Sequence, residues 1–284
     1  MSTNKKALIA IILSSLFILF GIVGLIVCKG FYADYDLADG MSLTITLSDV
    51  KPVAEESKIV DPIVKGLTDG GFKPIKVLTT YVDTDKDEIT GIICYFDTLT
   101  AEQTTKLNTL TSGIVGIEKT SVEKTNNSLN RSLISKGCIA LAILVVIEFV
   151  YFAVMYRKNN GWKIGVASTV SFVANILSFI GVVAGLGLIG IRAPASIISV
   201  GFAVSIITII SNLVIFTYVR DTDGMQPNVN LGSIITFILC LVGLVTAIVF
   251  ACIGAIGLAI PLFVSMLIVC ANQLFGVKVL FEKL

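Results

Sequence analysis

The chain has 284 residues, 14% charged and 55% hydrophobic, with a mean hydropathy of +0.92 and 21 basic against 20 acidic side chains. A soluble globular protein is about a quarter charged, so this composition excludes a soluble enzyme, a coiled coil and a disordered chain. A net charge of +1 offers no surface for nucleic acid. Histidine is absent, which removes a His general base, a catalytic triad and any His-ligated metal.

The first uncharged run is Ala7–Cys28. Twenty apolar residues cross about 30 Å of hydrocarbon, and no small-residue cleavage site follows this run. Bulky Val27 before Cys28 argues against lipid processing, so residues 1–28 are predicted to be a retained anchor. Residues 29–136 are polar and hold sixteen of the 20 acidic side chains. The next uncharged runs are Gly137–Tyr156 (broken only by Glu148), Ile164–Ile191, Ala193–Val219 and Gly224–Val277. The last is 54 residues long and divides near Gly254–Gly257. Residues 137–284 therefore predict a five-helix bundle, and the chain a multi-pass protein with six spans.

Orientation follows from Lys and Arg in short loops. Lys5 and Lys6 precede span 1, and Arg157, Lys158 and Lys163 lie between spans 2 and 3. Arg220 follows span 4, and Lys278 and Lys283 follow span 6. Of the short loops on the opposite side, only the one with Arg192 is charged. Both termini are expected in the cytoplasm and residues 29–136 outside it, in the plasma membrane of the cell.

Within that polar region the elements read in order. Met41–Leu47 alternates as a strand. Pro52–Gly70 has helical apolar spacing and ends at Gly70-Gly71. Phe72–Val82 and Ile89–Phe96 form a hairpin around Thr84-Asp85-Lys86-Asp87. Thr100-x-x-Gln103 fits a capping box for a helix to about Leu110, and Ile114–Val122 is a last strand. The β-α-β-β-α-β order is the ferredoxin-like pattern. The fold class expected is thus an α-helical polytopic membrane protein of six transmembrane helices, with a ferredoxin-like α+β extracytoplasmic domain inserted between helices 1 and 2.

Few residues here carry chemistry. Asp83, Asp85, Asp87 and Glu88 resemble a calcium loop only loosely and read as a solvated hairpin tip. Five of the six cysteines, Cys28, Cys138, Cys240, Cys252 and Cys270, lie in or beside apolar runs, and no C-x-x-C occurs. They read as small apolar side chains; no metal or cofactor is expected. Asn126-Asn127-Ser128 and Asn130-Arg131-Ser132 fit the glycosylation sequon, a triplet that also arises by chance. No nucleophile–base pair or phosphate-binding loop can be drawn, so neither an enzyme nor an ATPase is expected.

Inside the spans, polar residues fall on stripes. Span 3 carries Ser168, Ser171, Asn175 and Ser178, and span 4 carries Gly201, Ser205, Thr208 and Asn212, at steps of three and four, each set on one helical face. Such stripes glue helices together or line a hydrated seam. Gly181-x-x-x-Gly185 belongs with the packing reading, and Pro261 is expected to kink span 6. Glu148 lies near the middle of span 2, where a charge costs roughly 2.5–3.5 kcal/mol on insertion scales. Acids at such depth face the bundle and act there; the alternative is a neutral acid bonded to a neighbour or facing a partner subunit.

Several segments echo one known family. Tyr35-Asp36-Leu37-Ala38-Asp39-Gly40 follows span 1 where that family has G-x-D-F-x-G-G; Asp36 and Gly40 match, Leu37 replaces the aromatic and Asp39 a glycine. Arg157 and Trp162 stand where a short basic loop carries Arg and Trp. Span 4 runs from Ser211-Asn212 to Arg220-Asp221, against an Asn-Asp pair and a final Asp-Arg-x-Arg-Glu. Ala271-Asn272-Gln273 stand at the level of small and polar residues in helix 6. With the layout of one anchor, a βαββαβ domain and five helices, the chain resembles SecF of the SecD/SecF protein-export complex.

The resemblance implies a subunit that assists translocation, coupled to the proton-motive force, with a SecD-like partner, a SecYEG-type channel, exported unfolded polypeptides and membrane lipid as partners. In the family a helix 4 Asp and a helix 5 Arg belong to the proton relay. Here the Asp position is Ser211 or Asn212, Leu231–Ile253 has no Arg or Lys, and a helix 3 His-Asp pair aligns with Ala174-Asn175. The resemblance makes Glu148 the candidate proton carrier, in place of the missing helix 4 carboxylate. The missing groups keep two alternatives open: a non-transporting scaffold or receptor with an extracytoplasmic binding domain, and half of a related efflux pump.

Overall fold

The structure is a computed structural model and describes residues 3–82, 88–112, 117–158, 160–216 and 229–283. The elements are α1 (Thr3–Val27), β1 (Gly40–Pro52), α2 (Glu56–Asp69), β2 (Lys76–Tyr81), β3 (Glu88–Phe96), α3 (Ala101–Ser112), β4 (Ile117–Thr125), α4 (Ser128–Met155), α5 (Gly161–Leu186), α6 (Ile197–Phe216), α7 (Val229–Cys252), α8 (Ile256–Ala271) and α9 (Val277–Lys283). A π-helical turn, Asn272–Gly276, joins α8 to α9. Six helices are long and apolar enough to cross a membrane, and a small antiparallel sheet lies in sequence between the first and second of them. The chain forms two compact units, Ala33–Arg131 and the remainder.

In the first unit the sheet has strand order β2-β3-β1-β4, every pair antiparallel. Strand alternation places Leu43 and Ile45 of β1 and Ile92, Cys94 and Phe96 of β3 against Ile63 and Leu67 of α2 and Leu107 of α3. Fully burying such a side chain contributes about 1.5–3 kcal/mol. The capping box forms as its spacing requires: Thr100 N–H donates to Gln103 Oε1 at 2.8 Å and Gln103 N–H to Thr100 Oγ1 at 3.2 Å. At the end of α2, Gly71 takes φ +89°, and Gly71 N–H and Phe72 N–H bond back to Thr68 O and Leu67 O. That closure holds Phe72 on the helix cap, so the second strand starts at Lys76, beyond Pro74, rather than at Phe72. β1 runs five residues further than its alternation predicts, through a bulge after Thr46. Residues 83–87 and 113–116, including the hairpin tip and the start of the expected last strand, lie outside the described residues.

In the second unit α5 is the central helix: most of its length is buried, whereas α1, α4 and α7 are mostly exposed along theirs. It packs on α1, α6 and α8. Its contact with α1 is backbone to backbone. A Cβ on Gly21 would strike the main chain of Gly181, one on Gly24 the carbonyl of Ala184, and one on Gly181 the carbonyl of Phe17. Small residues permit that approach where no hydrophobic drive exists between helices. The 54-residue run divides at Gly254, whose φ of +78° ends α7 as a glycine C-cap does. α4 begins at Ser128, nine residues before its uncharged run, because its first turns are polar. α8 continues through Pro261.

Candidate functional site

The hydroxyls and amides on α5 and α6 face inward. Ser168, Ser171, Asn175, Ser178, Ser205, Thr208 and Asn212 are all buried. Several hydroxyls bond their own helix: Ser168 to Gly165 O, Ser205 to Gly201 O and Thr208 to Val204 O. This satisfies them locally and leaves the amides to bridge helices.

Two bridging sets result. In the first, Asn175 Nδ2 donates to Thr208 Oγ1 at 3.1 Å, and Asn272 Nδ2 donates to Asn175 Oδ1 at 2.7 Å. Asn272 also pairs with Ser14 of α1, its Nδ2 donating to Ser14 Oγ at 2.9 Å and Ser14 Oγ to Asn272 Oδ1 at 3.1 Å. Next to it Gln273 Nε2 donates to Ser171 Oγ at 3.1 Å. The chain of amides thus links α1, α5, α6 and the last span. Asn272 and Gln273 are consecutive yet both buried, and both lie in the π turn; such turns recur at functional sites. Ser14, Ser171 and Asn272 also line a cavity of about 310 Å³ with Ile11, Ile18 and Val277.

The second set is centred on Glu148 of α4, 4% exposed and the only charged residue buried among the described residues. Its Oε1 accepts from Asn212 Nδ2 of α6 at 2.6 Å, and the same nitrogen reaches Ser168 O of α5 at 3.3 Å. Glu148 Oε2, Asn212 Oδ1 and Ser211 Oγ are buried without a hydrogen-bond partner. Two of those are acceptors on the paired side chains. A proton on Oε2 turns one of them into a donor; its loss leaves a charge with one neutral amide for support. One turn along α4, Phe152 packs on Phe216 at 5.7 Å and on Tyr156 at 5.8 Å, and Phe216 packs on Phe281. This aromatic cluster fixes α4 against α6 beside the carboxyl.

The structure thus joins Glu148 to Asn212, puts Ser211 next in chain with its hydroxyl unpaired, and places Asn175 in the other polar set. Asp36 and Gly40 lie in the other unit, Asp36 in the loop before β1 and Gly40 as the first residue of β1, and side chains at and just before the start of α4 hold that loop. Asn127 Nδ2 donates to Tyr35 O and Ala38 O, Asn130 Nδ2 donates to Asp36 O at 2.6 Å, and Arg131 grips Asp39 with two 2.9 Å contacts. Tyr35 packs on Tyr95, centroids 4.7 Å apart, and its phenol pKa is pushed up by burial and by Asp36 and Asp34. Gly40 is required because a Cβ there would strike Phe96 O. Arg220 lies outside the described residues. Sequence reasoning missed Ser14, Asn127 and Asn130 as bonding groups; its only signal for Ser14 was a polar pair in an apolar run.

No known protein family matches the sequence, and no curated protein matches it. Solved structures do share its fold. One is a crystal structure of SecDF in a super-membrane-facing form, with a TM-score of 0.59 and 15% identity over 99% of this chain. Another is SecDF, a translocon-associated membrane protein from Thermus thermophilus, with a TM-score of 0.54 and 16% identity over 99% of this chain. The chain spans 37% of the length of each.

Proposed function

We propose that this chain is a SecF-like auxiliary subunit of a protein-export machinery, and that the Glu148–Asn212 pair carries its proton. It sits in the plasma membrane with both termini in the cytoplasm and its inserted domain outside, where an extended exported polypeptide can be held. Its partners are a SecD-like subunit, which supplies an equivalent six-helix half, and a SecYEG-type channel. The shared fold with SecDF supports the general assignment.

The observation that carries the proton reading is the 2.6 Å bond between Glu148 and Asn212. The resemblance to SecF puts the relay carboxylate on span 4, at Ser211 or Asn212. Here span 4 offers an amide and span 2 offers the carboxyl, so the acid has moved across the helix interface while its place in the bundle is kept. Intramembrane acids of this kind mark ion pathways. Loading and unloading Oε2 changes what α4 and α6 can share, and α4 continues directly from the inserted domain.

The test is export of a reporter from proteoliposomes containing the channel, the SecD-like subunit and either wild type or Glu148→Gln, with and without an imposed proton gradient. Gln keeps shape and an acceptor but holds no transferable proton. The expected result is normal assembly with the gradient-dependent gain lost. Gradient-dependent export equal to wild type would overturn the proton assignment. Failure of wild type to associate with a SecD-like subunit would overturn the export reading itself.

A further inference from the structure

The interface of α7 with α8 holds three sulfur atoms. Cys240 of α7 and Met266 of α8 are buried in one apolar cluster, and Cys270 of α8 packs against it. Met266 and Cys270 are four residues apart on α8, hence on one face. Cys240 and Gly243 share a face of α7 in the same way. Gly243 is open for a reason: a Cβ there would lie 2.5 Å from Met266 Sδ and 2.6 Å from its Cγ. The thioether therefore occupies the place of a side chain on α7, one turn from Cys240. α7 turns back into α8 at Gly254, so with Gly243 opposite Met266, Cys240, three residues before Gly243, falls opposite Cys270, four residues after Met266.

We propose that Cys240, Met266 and Cys270 form a binding site for a soft monovalent metal ion, Cu(I). Thiolate and thioether donors select soft ions, and carboxylate, carbonyl and water suit hard ones. The donor set fits a d¹⁰ ion of low coordination number. It does not fit structural zinc, which takes four ligands. Binding exchanges one thiol proton for Cu⁺, so the complex stays neutral inside hydrocarbon, and the released proton leaves with solvent. No redox change is involved. Cys270 is half-buried while Cys240 and Met266 are buried, so the ion enters at Cys270 and is enclosed by the other two. The ion would clamp α7 to α8, the two helices that Gly254 separates.

The test uses the full chain purified in mild detergent under anaerobic, thiol-free reduction, titrated with Cu(I) against a chromogenic Cu(I) chelator. The expected result is one Cu(I) per chain, with X-ray absorption showing sulfur neighbours only. Cys240→Ala and Cys270→Ala should each weaken retention at least about tenfold, and Met266→Leu should remove one sulfur from the spectrum. A variant with Cys28, Cys94, Cys138 and Cys252 all changed to Ala should bind as wild type does. Elution of each variant at the wild-type size separates loss of the site from misfolding. Binding unaffected by Cys240→Ala and Cys270→Ala in correctly sized protein, or oxygen and nitrogen neighbours in the spectrum, would overturn the proposal. So would the absence of stoichiometric binding by wild type.

Discussion

Replacing Glu148 and Asn212 by Leu, singly and together, measures the pair directly. Asn212→Leu leaves both oxygens of Glu148 buried without a partner, since Oε1 accepts only from Asn212 and Oε2 has no bond already. An unsatisfied buried polar group costs about 1–3 kcal/mol. Glu148→Leu is milder. Asn212 keeps its 3.3 Å bond to Ser168 O, and a carboxyl leaves the apolar interior. Hydrogen bonds between membrane helices average about 0.6 kcal/mol and reach about 1.7; a 2.6 Å bond to a carboxyl belongs at the top of that range. Asn212→Leu should therefore destabilise by about 2 kcal/mol and Glu148→Leu by less than about 1. The double variant should stay within about 1 kcal/mol of wild type, a coupling of about 1–2 kcal/mol. The assay is unfolding from detergent micelles by added SDS, followed by circular dichroism. Distant, independent sites add to within about 0.3–0.5 kcal/mol. If Asn212→Leu costs the same with and without Glu148, within that margin, the two do not interact and the site as described is wrong.

Gly181→Val should destabilise the bundle by about 1–3 kcal/mol, as overpacking does, and expose α1 to proteolysis, because the new side chain meets the carbonyl of Phe17; SDS titration reads the loss. Cys94 should resist maleimide in folded protein and react on denaturation, since burial pushes its thiol from 9.0 up to about 12. The sign follows from linkage: above pH 9 the unfolded chain sheds this proton first, so stability falls as pH rises from about 9 toward 12. Replacing Cys94 by Ala should flatten that alkaline slope; an unchanged slope would refute the assignment.

Much of the architecture was legible because membrane spans and capping boxes are local patterns. Thr100 and Gln103 bond each other as their spacing implied, and the stripes on spans 3 and 4 face inward as their steps of three and four implied. Periodicity gives a face, not its neighbour. It could mark Glu148 as anomalous and Asn212 as polar, but the bond between them depends on how α4 lies across α6. The same limit hid Ser14: one hydroxyl has no period, and its partner lies 258 residues away. The start of β2 was misplaced because Phe72 is as good a strand residue as a helix-cap residue, and tertiary contact with the α2 core decided the matter. Asn127 and Asn130 were legible only as sequons, since bonds to the carbonyls of residues 35–38 leave no trace in spacing.

The π turn at Asn272–Gly276 has a consequence for how the chain tolerates insertion and loss. Such a turn holds one residue more than its α-helical equivalent, so everything after it is rotated by about 100° relative to an uninterrupted helix. Val277 and Val279, which follow the turn, are buried in the phase it sets. Removing a single residue from the turn would relax it to an ordinary helix and swing both valines away from the core, while pulling Asn272 or Gln273 off its partner. The phase of α9 relative to α8 is thus set at this turn, and lineages that lose or gain a residue there should be expected to change the wiring of the bundle's interior rather than its outline.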